Sequence, residues 1–108
     1  MKIRMNELTR HAKEDRRDRR EIARQIGIGK AVAEIRRERE GSNTQYAIQM
    51  LTDTGLIVIV GDDGKIVTLY LATISQAIAI YSKAHGVCRL PDQLYKQIKI
   101  NRTFYAAD

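Results

Sequence analysis

Tryptophan is absent from this chain, and cysteine, proline and phenylalanine each occur once in 108 residues. A lone cysteine, Cys88, closes no intramolecular disulfide, which excludes the small disulfide-stapled scaffolds. The start, Met1-Lys2-Ile3-Arg4, runs straight into charge and offers no cleavable signal sequence, so a cytoplasmic protein is expected. Apolar runs such as Leu56 to Val60 are far shorter than the ~20 residues a membrane helix needs, and no membrane partner is expected. With aromatics at 6%, aliphatic side chains must fill the core. A single domain, residues 1–108, is expected, and a domain of this size buries roughly two-thirds of its unfolded surface.

Most enzyme signatures are missing as well. Gly27-Ile28-Gly29-Lys30 is too short for a phosphate-binding loop and follows a helical pattern rather than a strand. Two histidines and one cysteine, far apart in sequence, make no metal-ligand cluster. No metal and no cofactor are expected. Asp62-Asp63 lies between glycines, where turn propensity accounts for both carboxylates.

What is present is basic charge in one place. The formal net charge is +6. Residues 1–40 hold 13 Lys and Arg against 8 Asp and Glu, and residues 41–108 hold 6 against 5. Positive charge focused on one part of a chain favours a polyanionic partner. The interleaved acids leave a second reading open, a solvated helix laced with ion pairs such as Asp15 with Arg19.

The hydrophobic pattern predicts a long helix over residues 6–26. Leu8, Ala12, Arg19, Ile22 and Ile26 fall near one face, with charge in the middle of the stripe. Gly27 and Gly29 end it. Ile28, Ala31, Val32 and Ile35 have helical spacing and predict a second helix over residues 30–40. Tyr46 to Leu51 alternates as a strand. Leu56 to Val60 is β-branched and continuous, as in a central strand covered on both faces. Gly61-Asp62-Asp63-Gly64 is a hairpin turn into a strand over residues 65–71. On that strand Ile66, Thr68 and Tyr70 are expected on one face. Thr73-Ile74-Ser75-Gln76 is a capping box opening a further helix, with Ile74, Ala77, Ile78 and Tyr81 as its buried stripe. Pro91 opens a last short helix through about Lys99, followed by a tail read as a docked segment or a strand.

The candidate functional residues lie on the first helix and on the last strand. His11 carries an imidazole that can take or give a proton near neutral pH. Arg16, Arg19 and Arg20 can clamp phosphate, although the successive arginine pairs cover more than one helix face. Thr68 and Tyr70 share a strand face from which a tyrosine can stack on a base and a threonine can bond a phosphate oxygen. Each also fits a bland role: a surface histidine, a solvated basic face, ordinary cross-strand packing. His85 belongs with the helix dipole, and Cys88 with small apolar fillers.

A His-Ala pair on a helix at His11-Ala12, followed by a hairpin ending Val67-Thr68-Leu69-Tyr70, resembles the RelE-like branch of the barnase–EndoU–colicin–RelE ribonuclease-toxin fold. The resemblance spans roughly residues 8–71. It implies a cleft between helix and sheet that cleaves RNA through the 2′-hydroxyl without metal, with His11, Arg19 and Tyr70 as catalytic residues and Arg16, Arg20 and Thr68 binding substrate. Asp15 stands where many such proteins carry arginine, and the chain runs on from Leu71 to Asp108 with helices that compact members lack.

The expected fold is α+β: two N-terminal helices, a three- to four-stranded antiparallel sheet and two C-terminal helices. The expected function is RNA-directed, with RNA favoured over DNA and a metal-independent endoribonuclease as the activity. The alternative is a non-catalytic binding module of phage or mobile-element type that blocks a nucleic-acid-binding protein. A homodimer through the C-terminal helices fits either reading. A DNA reader built on a helix–glycine–helix corner is a further possibility.

Overall fold

The computed structural model describes residues 17–38 and 46–105. The elements run α1 (Arg17–Ile26), β1 (Ala31–Glu38), β2 (Tyr46–Thr52), β3 (Leu56–Gly61), β4 (Ile66–Leu71), α2 (Ile74–His85) and α3 (Asp92–Phe104). The strands form one antiparallel meander in the order β1-β2-β3-β4. The α+β class and the antiparallel sheet agree with the sequence reading. Met1 to Arg16, including the first part of the predicted long helix, lie outside the described residues.

One expectation is corrected. Residues 30–40 do not form a second N-terminal helix, because Ala31–Glu38 is the edge strand β1. Its apolar residues fit a helical period, but they also fit a period of two. Ala33 is buried and Ile35 half-buried, while Glu34 and Arg36 between and beyond them are exposed. Pairing decides the outcome: β1 registers on β2 with Ala33 opposite Leu51 and Ile35 opposite Gln49. Ladder hydrogen bonds and alternating burial outweigh a short stretch of helical spacing. The helix–glycine–helix corner disappears with the helix.

The sheet is covered on both faces. On one, Met50, Leu56, Val58, Ile66 and Leu69 pack with Ala23 of α1. On the other, Ala33, Leu51 and Ile57 meet Ala77 and Ile80 of α2, and Leu94 and Ile98 of α3. Ile57 and Val58, adjacent and both fully buried, supply one side chain to each core, as a central strand should. Burying such a side chain stabilises the fold by about 1.5–3 kcal/mol.

A β-bulge changes the aim of β4. Ile59 pairs with Thr68, but Val60 pairs with Ile66, so Val67 is an extra residue in the ladder. The bulge moves Ile66 to the α1 face beside Leu69. Ile66 therefore does not share a face with Thr68 and Tyr70 as simple alternation implies. Those two remain together on the α2 face. Bulges re-aim side chains in this way at sheet edges and beside functional sites.

The capping box of α2 forms as expected. Gln76 donates its backbone N–H to Thr73 Oγ1 at 3.1 Å, and Thr73 donates its own to Gln76 Oε1 at 3.0 Å. Gly86 caps the other end in the left-handed region. Ala77 and Ile80 are the buried residues of this helix, with Ile74, Ile78 and Tyr81 half-buried around them. The last helix continues to Phe104 rather than ending near Lys99, so most of the predicted tail is helical. Replacing Thr73 with alanine should cost about 1 kcal/mol and lower the thermal midpoint by roughly 4–8 °C, read by circular dichroism. An unchanged midpoint would mean that the cap contributes nothing.

Candidate functional site

The site starts at β4, an edge strand. Tyr70 lies opposite Ile57 and Thr68 opposite Ile59, on the face that α2 covers. α1 packs against β4 through Ala23, which is fully buried. One helical turn before it, Arg19 extends to the same edge. Its guanidinium carbon stands 5.5 Å from the centroid of the Tyr70 ring. A cation over an aromatic face at this distance gains about 0.5–1 kcal/mol at an exposed site. The contact orients the guanidinium and leaves its N–H fork without a carboxylate partner among the described residues. Such a fork suits phosphate.

Thr68 adds an unsatisfied group. Its Oγ1 is buried and has no hydrogen-bond partner among the described residues. A buried hydroxyl without a partner costs about 1–3 kcal/mol, so it calls for an explanation. Steric fit on the β-sheet does not supply one, because valine would fill the same space without an unmet hydroxyl.

Behind Tyr70 a cleft of about 530 Å³ opens between the sheet and α2. This falls within the range of small-molecule sites, about 300–1,000 Å³. Ile35 and Gln49 form its floor, a directly opposed pair on β1 and β2. Gln76, Ala79, Ile80 and Lys83 form its helical wall, and Tyr70 closes the side toward Arg19. The cleft therefore combines an aliphatic surface, an aromatic ring, two amides and an ammonium group.

Of the residues selected from sequence, Arg19, Thr68 and Tyr70 come together at this edge. Arg20 is half-buried one position further round α1, and Arg19 is the arginine that stands over Tyr70. His11 and Arg16 lie outside the described residues. Sequence reasoning passed over Gln49, Gln76 and Lys83. Gln49 had a signal, as the one polar residue between Ala47 and Leu51. Gln76 was visible only as a capping residue.

Two other residues have structural explanations or none. His85 donates from Nε2 to the Val32 carbonyl at 2.6 Å, and its ring centroid is 4.5 Å from that of Tyr81. It fastens the end of α2 to the edge strand β1. Cys88 is exposed rather than an apolar filler. Among the described residues no group of three or more His, Cys, Asp or Glu is placed to hold a metal ion, and no helix is long and apolar enough to cross a membrane. No family model, curated protein or solved structure matches this chain.

Proposed function

We propose that this chain is an RNA-directed protein with a metal-independent endoribonuclease site of the RelE-like kind. The observation that carries this reading is Arg19 over Tyr70, with the unsatisfied Thr68 hydroxyl two residues back on the same strand face. A phosphodiester at this edge gives the guanidinium its anion. Arg16 and Arg20 bind flanking phosphates. His11 takes the proton from the ribose 2′-hydroxyl, the 2′-oxygen bonds to phosphorus, and the 5′-oxygen leaves and is protonated. Arg19 offsets the charge that builds on the phosphoryl oxygens, and Tyr70 positions the chain. The products are a 2′,3′-cyclic phosphate and a 5′-hydroxyl.

The test is incubation of the purified protein with labelled single-stranded RNA in EDTA. Cleavage leaving 2′,3′-cyclic phosphate ends is the expected result. Intact RNA over a wide range of protein concentration would reject the activity.

A second reading has its own observation. On the outer side of α3, Ile100 is 49% and Phe104 76% exposed, and they are one helical turn apart. Exposed apolar residues at this spacing fit a non-catalytic module that covers a nucleic-acid-binding partner. RNA binding without turnover, or neither binding nor turnover, would transfer the weight to that module.

A further inference from the structure

Gln49 is the unusual residue of the α2 face. Its row across the sheet reads Ile35, Gln49, Ile59 and Thr68, and the next reads Ala33, Leu51, Ile57 and Tyr70. An amide stands between Ile35 and Ile59, with Leu51 and Ile57 in the next row. No group among the described residues bonds to it. Gln76 faces the same cleft with one lone pair of its oxygen taken by the Thr73 N–H, which leaves its Nε2 donor and the second lone pair open. Lys83 brings further donors and has no carboxylate partner among the described residues.

The open groups form an unequal set. Donors come from Gln49, Gln76 and Lys83 and outnumber the amide acceptors, Gln49 Oε1 and the second lone pair of Gln76 Oε1. A ligand that matches this excess carries more acceptors than donors on a single edge. Uracil presents O2 and O4 as acceptors and N3–H as donor. Cytosine presents O2 and N3 as acceptors and the exocyclic amine as donor. Guanine shows one acceptor and two donors on its pairing edge, and no donor at O6 and N7. Adenine offers one of each and leaves the lysine unmatched. The aliphatic surfaces of Ile35, Ala79 and Ile80 suit the flat faces of a base, and the Tyr70 ring joins the cleft to Arg19.

We infer that this cleft is a pyrimidine-selective base pocket, which receives the base of a nucleotide whose phosphate is held by Arg19. The inference rests on the RNA-directed reading above and adds a base preference to it. Gln49 is the reader, bonding the base edge through both amide atoms. Gln76 and Lys83 donate to the remaining acceptor.

The experiment measures equilibrium binding of short 2′-O-methyl oligonucleotides of uridine, cytidine and adenosine, which cannot be cleaved through the 2′-oxygen. Uridine and cytidine oligomers should bind about tenfold more tightly than the adenosine oligomer, the lower range of one bidentate base contact. Gln49→Leu should weaken uridine and cytidine binding and so reduce that preference. Lys83→Met, at an exposed position that does not threaten the fold, should narrow it. Equal binding of all three oligomers, unaltered by Gln49→Leu, overturns the pocket and leaves the RNA-directed reading standing. If none of the oligomers binds, that reading fails, and an NMR titration with uridine 5′-monophosphate decides the pocket alone. Shifts at the Gln49 and Gln76 side-chain amides uphold it, and their absence overturns it.

Discussion

Replacing Gly55 with alanine should lower folding stability by about 2–5 kcal/mol, a large part of the ~5–15 kcal/mol typical of a whole domain. Gly55 lies in the turn between β2 and β3 with φ +87°, a conformation that costs an L-residue roughly 1–2 kcal/mol. The space around it adds a second cost. A Cβ here would stand 2.6 Å from Asn101 Nδ2 and 3.2 Å from Ile98 Cγ1. Asn101 is 1% exposed and donates from Nδ2 to the Thr54 carbonyl at 2.7 Å. That bond seats α3 on the turn, and the new methyl would displace it. Gly64→Ala is the control, since Gly64 has φ +82° but nothing within 4 Å of its Cβ position. Urea denaturation should show Gly64→Ala losing only the backbone part. Asn101→Ala combined with Gly55→Ala should cost less than the two changes added. Equal losses at Gly55 and Gly64 would refute the steric part of the argument.

The same residues show why some of this fold was legible in the sequence and some was not. Local chemistry marked the hairpin at Gly61 to Gly64 and the capping box at Thr73, because each is decided within a few residues. Val58 and Ile57 announced a strand covered on both sides, because the continuous β-branched run has no polar alternation. Ala31–Glu38 was misread because its few apolar residues satisfy two periods at once, and only the partner strand chooses between them. The bulge at Val67 left no mark in composition, since valine fits either face. Asn101 was equally silent: its amide is explained by the Thr54 carbonyl, 47 residues earlier in the chain.

The candidate site divides along the same line. Thr68 and Tyr70 were visible as a pair two residues apart on one strand, and two-residue spacing survives a bulge that lies just before it. Arg19 stood apart from Arg20 in the sequence by sharing a helix face with Ile22 and Ile26, but which group that face would bring it against is a choice made by tertiary packing. The packing of Ala23 against the sheet makes that choice, and it aims Arg19 at Tyr70. Gln49 is a parallel case. Its isolation among apolar residues was plain in the sequence, but the significance of an unpaired amide appears only once Ile35 and Ile59 flank it.

His11→Ala should lower the rate of RNA cleavage by about 10²–10⁴-fold, the usual contribution of a positioned acid or base. RNA affinity and the thermal midpoint should stay close to those of the unaltered protein. The reason lies in the division of labour. In the proposed site Arg19 and Tyr70 grip phosphate and nucleotide in the ground state, and they are present in both proteins. The imidazole acts only as protons move, so its removal should change the rate and not the binding. Arg19→Ala should do the converse in part, weakening binding as well as slowing cleavage, because the guanidinium meets the phosphate before and during reaction. Single-turnover rates on one labelled RNA, with binding measured in parallel, separate these effects. Full cleavage by His11→Ala would remove histidine from the chemistry and leave Tyr70, over which Arg19 stands, as the group to test next.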